Sequence, residues 1–208
     1  MELKGWLARS PIVAILRGVK PNEVEAIVEA LEENKILVVE VPLNSPQPLD
    51  SIERIARRFG DRMLVGAGTV MSADDVRRID AVGGRLIVTP HADVDVTAQA
   101  KESGLFAVPG FFTPTEAFSL LKAGADALKL FPAEGASPKV LSALRAVLPP
   151  QTAVLAVGGV TPTTLAAWHQ AGAAGYGIGS SIYKPGDKAD DVRRKAKALT
   201  AALADTKA

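Results

Sequence analysis

Eight short apolar runs punctuate this sequence at near-regular intervals, and each is followed by a stretch of helical pattern. The runs are Ile12–Gly18, Ile36–Leu43, Leu64–Val70, Leu86–Pro90, Phe106–Gly110, Ala127–Pro132, Ala153–Val160 and Tyr176–Ser181. Several are apolar at consecutive positions instead of alternating, as parallel strands covered on both faces require. Eight strand–helix units predict an α/β fold, a (β/α)8 TIM barrel, and 208 residues is at the small end for it. An open doubly wound sheet is the competing architecture. It needs fewer strands, and no Gly-x-Gly-x-x-Gly turn follows the first run. No linker, composition break or low-complexity segment interrupts the repeat, so residues 1–208 are expected to form a single barrel domain.

Helix starts are well marked. Thr113-Pro114-Thr115-Glu116 combines an N-cap threonine, a first-turn proline and a capping-box glutamate. Ser137-Pro138 and Thr161-Pro162 carry the same cap-then-proline signal, and Ser72-Ala73-Asp74-Asp75 places negative charge on a first turn. Gly104, Gly124 and Gly172 fall where helices should stop. The stretch before Pro11 is expected as a short helix across the barrel floor. The Lys/Ala/Asp-rich tail after Pro185 is expected as the closing helix.

Bulk composition removes several classes of function. The net charge is +1 and no basic run is present, so nucleic acid is not an expected partner. The chain has no cysteine, which excludes disulfides, thiolate catalysis and cysteine-ligated metal. No apolar run approaches the ~20 residues of a membrane span. The start, Met1 to Trp6, lacks the charged-then-apolar build of a signal peptide. The expectation is a cytoplasmic enzyme acting on a small molecule, without a membrane partner.

The informative residues are polar groups inside the apolar runs. Lys129 sits within Ala127-Leu128-Lys129-Leu130-Phe131. Neither face of a barrel strand offers it bulk water. Burial disfavours an ammonium, and a lysine of depressed pKa is a nucleophile suited to a carbonyl. The plainer alternative is a lysine that snorkels to the mouth or sits in a structural ion pair. Glu40 is a lone carboxylate near the C-terminal end of the second run, the end at which this fold builds active sites. It can shuttle protons beside a buried lysine, or simply neutralise it.

Arg17 ends the first run, where a guanidinium can grip a carboxylate with two parallel hydrogen bonds; alternatively it turns into solvent. Thr69 ends the third run behind Gly66 and Gly68, whose small size lets a ligand approach the backbone. Gly158-Gly159 and Gly179-Ser180 end the last two runs, where this fold often binds phosphate on bare backbone N–H groups. Tight turns also need glycine, so that reading competes. His169 is expected to be exposed. His91, after Pro90, can line the mouth, but one histidine is not a metal site. No metal and no cofactor are expected.

These residues carry a resemblance. Pro11–Gly18, Val39–Pro46, Gly66–Val70, Val88–Pro90, Pro109-Gly110, Ala127–Pro132, Val157–Val160 and Gly177–Ser180 resemble, in order and spacing, the class I 2-keto-3-deoxy-6-phosphogluconate/6-phosphogalactonate aldolases. The resemblance implies that Lys129 forms the Schiff base and Glu40 transfers protons. It implies that Arg17 and Thr69 handle the keto-acid end, and that Gly158, Gly159, Gly179 and Ser180 hold the phosphate. Pro90 and Phe131 would wall the imine from water. A homotrimer is also implied. Two branches of the family differ in the C4 configuration of the sugar acid. Asn44 and Val157 are similar to the phosphogalactonate branch, in which the other branch's arginine and threonine are replaced. Lys129–Glu134 reads more like the phosphogluconate branch. The expected reaction is cleavage of the phosphogalactonate acid, in galactonate degradation, to pyruvate and glyceraldehyde 3-phosphate. The competitors are the C4 epimer, another aldehyde partner, a phosphosugar isomerase or epimerase, and a non-catalytic phosphosugar-binding barrel.

Overall fold

The computed structural model describes residues 2–206. Each apolar run supplies a strand, the fifth supplies two, and outside the fifth each strand stops before its run does, which leaves the C-terminal part of the run as rim. The strands are β1 (Ile12–Ile15), β2 (Val38–Pro42), β3 (Leu64–Gly68), β4 (Leu86–Val88), β5 (Phe106–Val108), β6 (Gly110–Phe111), β7 (Leu128–Leu130), β8 (Val154–Val157) and β9 (Gly175–Ile178). All pair in parallel, in the order β5-β4-β3-β2-β1-β9-β8-β7-β6.

The two ends of that order belong to one stretch of chain. The fifth run was expected as a single strand, and it is split at Pro109. Proline has no N–H to donate to a ladder. Its carbonyl still accepts from Lys129 N at 2.9 Å. The half before it pairs with β4 and the half after it with β7, so the ring closes through Pro109. Thr89 steadies the break: its buried hydroxyl accepts from Gly110 N at 3.1 Å and donates to the His91 carbonyl at 2.5 Å. The result is a (β/α)8 barrel with one kinked strand.

Helices α1 (Leu3–Arg9), α2 (Val24–Glu33), α3 (Pro48–Phe59), α4 (Ala73–Ala81), α5 (Val94–Glu102), α6 (Pro114–Lys122), α7 (Pro138–Arg145), α8 (Leu165–Gln170) and α9 (Ala189–Asp205) lie between and around the strands. Ser72, Thr113 and Ser137 cap their helices as expected, Thr113 with a complete capping box to Glu116. Gly104, Gly124 and Gly172 adopt positive φ beyond helix ends. One expectation fails. Thr161-Pro162 opens a turn, and α8 starts only at Leu165, because the Thr164 hydroxyl turns back to the Thr161 amide instead of capping forward.

Helix α1 is the floor. Its Leu3 and Leu7, one turn apart, are buried against the inward side chains Val13, Val38, Leu86, Val108 and Leu155. The void left among them is about 10 Å³, no more than one water fills. The barrel is a packed core closed at its N-terminal end.

Strand β3 shows how close that packing is. A methyl group at Gly66 would lie 2.0 Å from the backbone carbonyl oxygen of Leu86 on the paired strand. Gly66→Ala is therefore expected to destabilise the chain by about 2 kcal/mol or more, read as a lowered midpoint in urea or thermal unfolding. An unchanged midpoint would mean that the β3–β4 spacing is looser than described.

Candidate active site

Lys129 and Glu40 both point into the barrel interior, at the top of the apolar layers. Lys129 is central in β7, between Gly110 and Leu155 on the neighbouring strands. Glu40 is central in β2, between Ile15 and Gly66. Their exposures are 6 % and 2 %, which separates them from an ordinary surface lysine and glutamate.

The space for the carboxyl comes from β3. A Cβ at Gly68 would lie 1.9 Å from Glu40 Oε2. The glycines of β3 were expected to admit a ligand to the backbone; at Gly68 the Glu40 side chain fills that room instead. Glu40 Oε2 is buried without a hydrogen-bond partner. Burial pushes its pKa up to about 7, against the opposing pull of the Lys129 and Arg17 charges. Burial likewise lowers the pKa of Lys129, with the Glu40 charge opposing and the Arg17 charge assisting. The Lys129 amine lies 4.6 Å from the centre of the Phe131 ring, which walls it on one side. Among the described residues, no hydrogen bond or direct ion pair joins Lys129 to Glu40.

The rim over β1, β2 and β3 gathers three polar side chains. Arg17 Nη1 donates to Asn44 Oδ1 at 2.5 Å, and Arg17 Nη2 to Thr69 Oγ1 at 3.5 Å. Arg17 is exposed, yet it stays over the mouth, tethered to its neighbours. Thr69 has φ +56°, an uncommon conformation for a β-branched residue and one that concentrates at functional sites. Asn44 joins this cluster as a partner of Arg17, a contact that spacing along the chain does not reveal.

The adjoining part of the rim, over β8 and β9, is built from glycine. Arg17, Phe131, Glu134, Val157, Gly158, Gly159, Gly177, Gly179 and Ser180 are among the residues lining a mouth cavity of about 280 Å³. Gly158 and Gly159 have φ +108° and +67°, which side chains rarely adopt. Nothing lies within 4 Å of where a Cβ would stand on Gly179. After β9 the chain makes a single turn, with the Ile182 and Tyr183 amides bonded to the Gly179 carbonyl. No regular helix follows at once; α9 begins at Ala189. Glu134 is exposed beside Gly159 on this side.

Pro90 lies half-buried on the neighbouring β4 rim, where its carbonyl group would sit 2.6–2.7 Å from a Cβ on Gly110. His91 is exposed, 3.6 Å from Asp93 Oδ2, and outside the mouth cavity. His169 is exposed on α8, with Nδ1 3.2 Å from the Tyr176 hydroxyl. Among the described residues, no three His, Cys, Asp or Glu side chains are grouped to hold a metal. The arrangement thus offers a shielded amine, a neighbouring carboxyl poised to exchange protons near neutral pH, a cationic corner and an anion-sized glycine cradle.

The sequence matches the model of the KDPG and KHG aldolases over residues 3–197. The chain belongs to the KDPG and KHG aldolase family. Within it, the chain is 46% identical over 192 residues to the probable 2-dehydro-3-deoxy-6-phosphogalactonate aldolase of Rhizobium meliloti (strain 1021), covering 92% of this chain and 91% of that one. It is 45% identical over 197 residues to the 2-dehydro-3-deoxy-6-phosphogalactonate aldolase of Escherichia coli (strain K12), covering 95% and 96%. Among solved structures, one described as native KDPGal superposes with a TM-score of 0.93 at 44% identity, over 94% of this chain and 95% of that chain. A second, a cube-shaped porous cage designed by fusing symmetric oligomeric domains, gives 0.94 at 44% identity, over 96% of this chain and 74% of that chain. The aldolases of this family are carbon–carbon lyases, and this chain is one of them.

The buried carboxyl makes stability depend on pH in a definite direction. Its pKa is about 7 in the folded chain against an ordinary 4.5. A raised folded pKa contributes stability that is complete below the unfolded value and is lost as pH rises through the folded one. Glu40→Gln keeps the shape without the charge. Its stability relative to the parent chain should improve between about pH 5 and about pH 9, by at most about 3 kcal/mol. Urea titrations at both pH values measure this, and a difference independent of pH would refute the shifted carboxyl.

Proposed function

We propose that the chain is a Schiff-base aldolase in which Lys129 forms the imine. Its substrate is 2-dehydro-3-deoxy-6-phosphogalactonate, cleaved to pyruvate and glyceraldehyde 3-phosphate. One observation carries the reading: a lysine amine buried at the top of a closed barrel, pushed toward its neutral form and placed near a carboxyl that titrates at about 7. An isomerase or a binding barrel has no use for an amine prepared in this way.

Arg17 and Thr69 hold the substrate carboxylate, while the N–H groups of Gly158, Gly159, Gly179 and Ser180 take the phosphate in the adjoining cavity. Neutral Lys129 Nζ attacks C2 of the ketone to give a carbinolamine, and loss of water leaves a protonated imine. Glu40, through a water, removes the proton of the C4 hydroxyl. The C3–C4 bond breaks, its electrons pass into the imine to give an enamine, and the aldehyde departs. Protonation of the enamine at C3 and hydrolysis release pyruvate and the free amine. Glu40 suits both proton deliveries, because a group with pKa near ambient pH gives and takes protons with equal ease. Phe131 and Pro90 keep the imine in apolar surroundings.

The preference for the phosphogalactonate epimer rests on Asn44 and Val157 and on relatives near 45% identity that bear that name. A cytoplasmic enzyme of galactonate degradation, with residues 1–208 as a single domain, is part of the same reading. So is a homotrimer. It is supported by the likeness to a cage assembled from symmetric oligomeric domains and by Phe112 and Phe118, apolar and exposed near the start of α6.

Borohydride added with pyruvate should attach the three-carbon unit permanently to the peptide containing Lys129, seen by mass spectrometry. Lys129→Ala should lose the adduct and turnover together; retained cleavage would eliminate the imine. Glu40→Gln should keep the fold while kcat falls by about two orders of magnitude. An assay coupled to glyceraldehyde 3-phosphate, run with both C4 epimers, should give the larger kcat/KM with the galactonate acid. A larger value with the gluconate acid would reverse the assignment.

A further inference from the structure

Among the described residues, Arg17 differs from the arginines held by carboxylates and resembles Arg145, which donates to the backbone carbonyls of Thr152 and Pro150 on the barrel's outside, in having only neutral partners. Arg58, Arg62, Arg77, Arg78, Arg193 and Arg194 each sit against an aspartate or glutamate. Arg17 is held by two neutral oxygens, Asn44 Oδ1 at 2.5 Å and Thr69 Oγ1 at 3.5 Å. A carboxylate partner would fix the guanidinium equally well and cancel its charge. A neutral amide fixes the direction and leaves the charge for a ligand.

The contact also determines how Asn44 is turned. A guanidinium has donors only, so the amide oxygen must face Arg17 and the NH2 group must face away. Asn44 lies two residues beyond β2, Arg17 two beyond β1 and Thr69 one beyond β3. Three adjacent strands therefore deliver the cation and its two acceptors to one corner of the mouth. Each terminal nitrogen of Arg17 carries two hydrogens. One on each is taken, and the others remain for an incoming carboxylate.

We propose that Asn44 is a positioning residue, which aims the Arg17 guanidinium at the substrate carboxylate while leaving its positive charge uncancelled. This rests on the reading of Arg17 given under the proposed function. Asn44 acts through Arg17, so its replacement weakens capture of the keto acid more than it slows the covalent steps.

Four variants of the full chain test this: Asn44→Ala, Asn44→Asp, Arg17→Ala and the double variant Arg17→Ala/Asn44→Ala. Asn44 is exposed, so all should fold, which thermal unfolding checks. KM for pyruvate is read in the condensation direction, with kcat alongside. Asn44→Asp, which keeps the hydrogen bond but neutralises the cation, should raise KM about tenfold, and Asn44→Ala by a smaller factor, with kcat changed much less. In the Arg17→Ala background, Asn44→Ala should add nothing further. The proposal is overturned if Asn44→Ala has the same effect with and without Arg17, or if Asn44→Asp leaves KM unchanged. If Arg17→Ala itself leaves KM for pyruvate unchanged, the assignment of Arg17 to the carboxylate fails, and the role of Asn44 falls with it.

Discussion

Two groups of opposite charge share the barrel interior without touching, and the rest of the site is arranged around that separation. Direct contact between Lys129 and Glu40 would stabilise both as ions, as in any buried salt bridge. Kept apart, each is governed by its own loss of water, which drives the amine toward its free base and the carboxyl toward its acid. The attraction between them opposes burial without overcoming it. The inward face of β3 supplies the room, because Gly68 stands aside for the carboxyl where any side chain would collide with it. Phe131 covers the amine from the other side.

Under the proposed function, the substrate's two negative ends would meet chemically different receptors. On the β1–β3 side the receptor is a cation steadied by neutral oxygens. On the β8–β9 side it is bare backbone, in conformations that glycine tolerates and other residues resist. The amine projects from β7, next to β8, into the barrel interior. A ligand anchored at both ends brings its ketone to the lysine without searching, and loss of that search is a large part of what an active site contributes to rate.

Much of this was readable along the chain, for a physical reason. A charged residue inside an apolar run is a sharp contrast, so Lys129 and Glu40 stand out before any folding is considered. The eight runs likewise announce the barrel. What the sequence conceals depends on pairing across strands. The break at Pro109 lies within a run that stays apolar on both sides, and only its partners, β4 on one side and β7 on the other, reveal two segments. Gly68 looks the same whether it admits a ligand or makes way for Glu40. Asn44 and Arg17 are 27 positions apart and meet because β1 and β2 are in register. Thr161-Pro162 carries the same letters as the true cap Thr113-Pro114, but its hydroxyl meets the Thr163 and Thr164 hydroxyls and its amide donates to Thr164.

The floor helix has a kinetic consequence. With Leu3 and Leu7 sealing the far end, the barrel is a well with one opening, and everything that enters must leave by the way it came. With the proposed imine on Lys129, the fragment released by bond cleavage would lie nearer the opening, and the other would stay tethered to the lysine beneath it. Departure would then be sequential: the aldehyde clears the shaft first, and only afterwards can water reach the tether and free the keto acid.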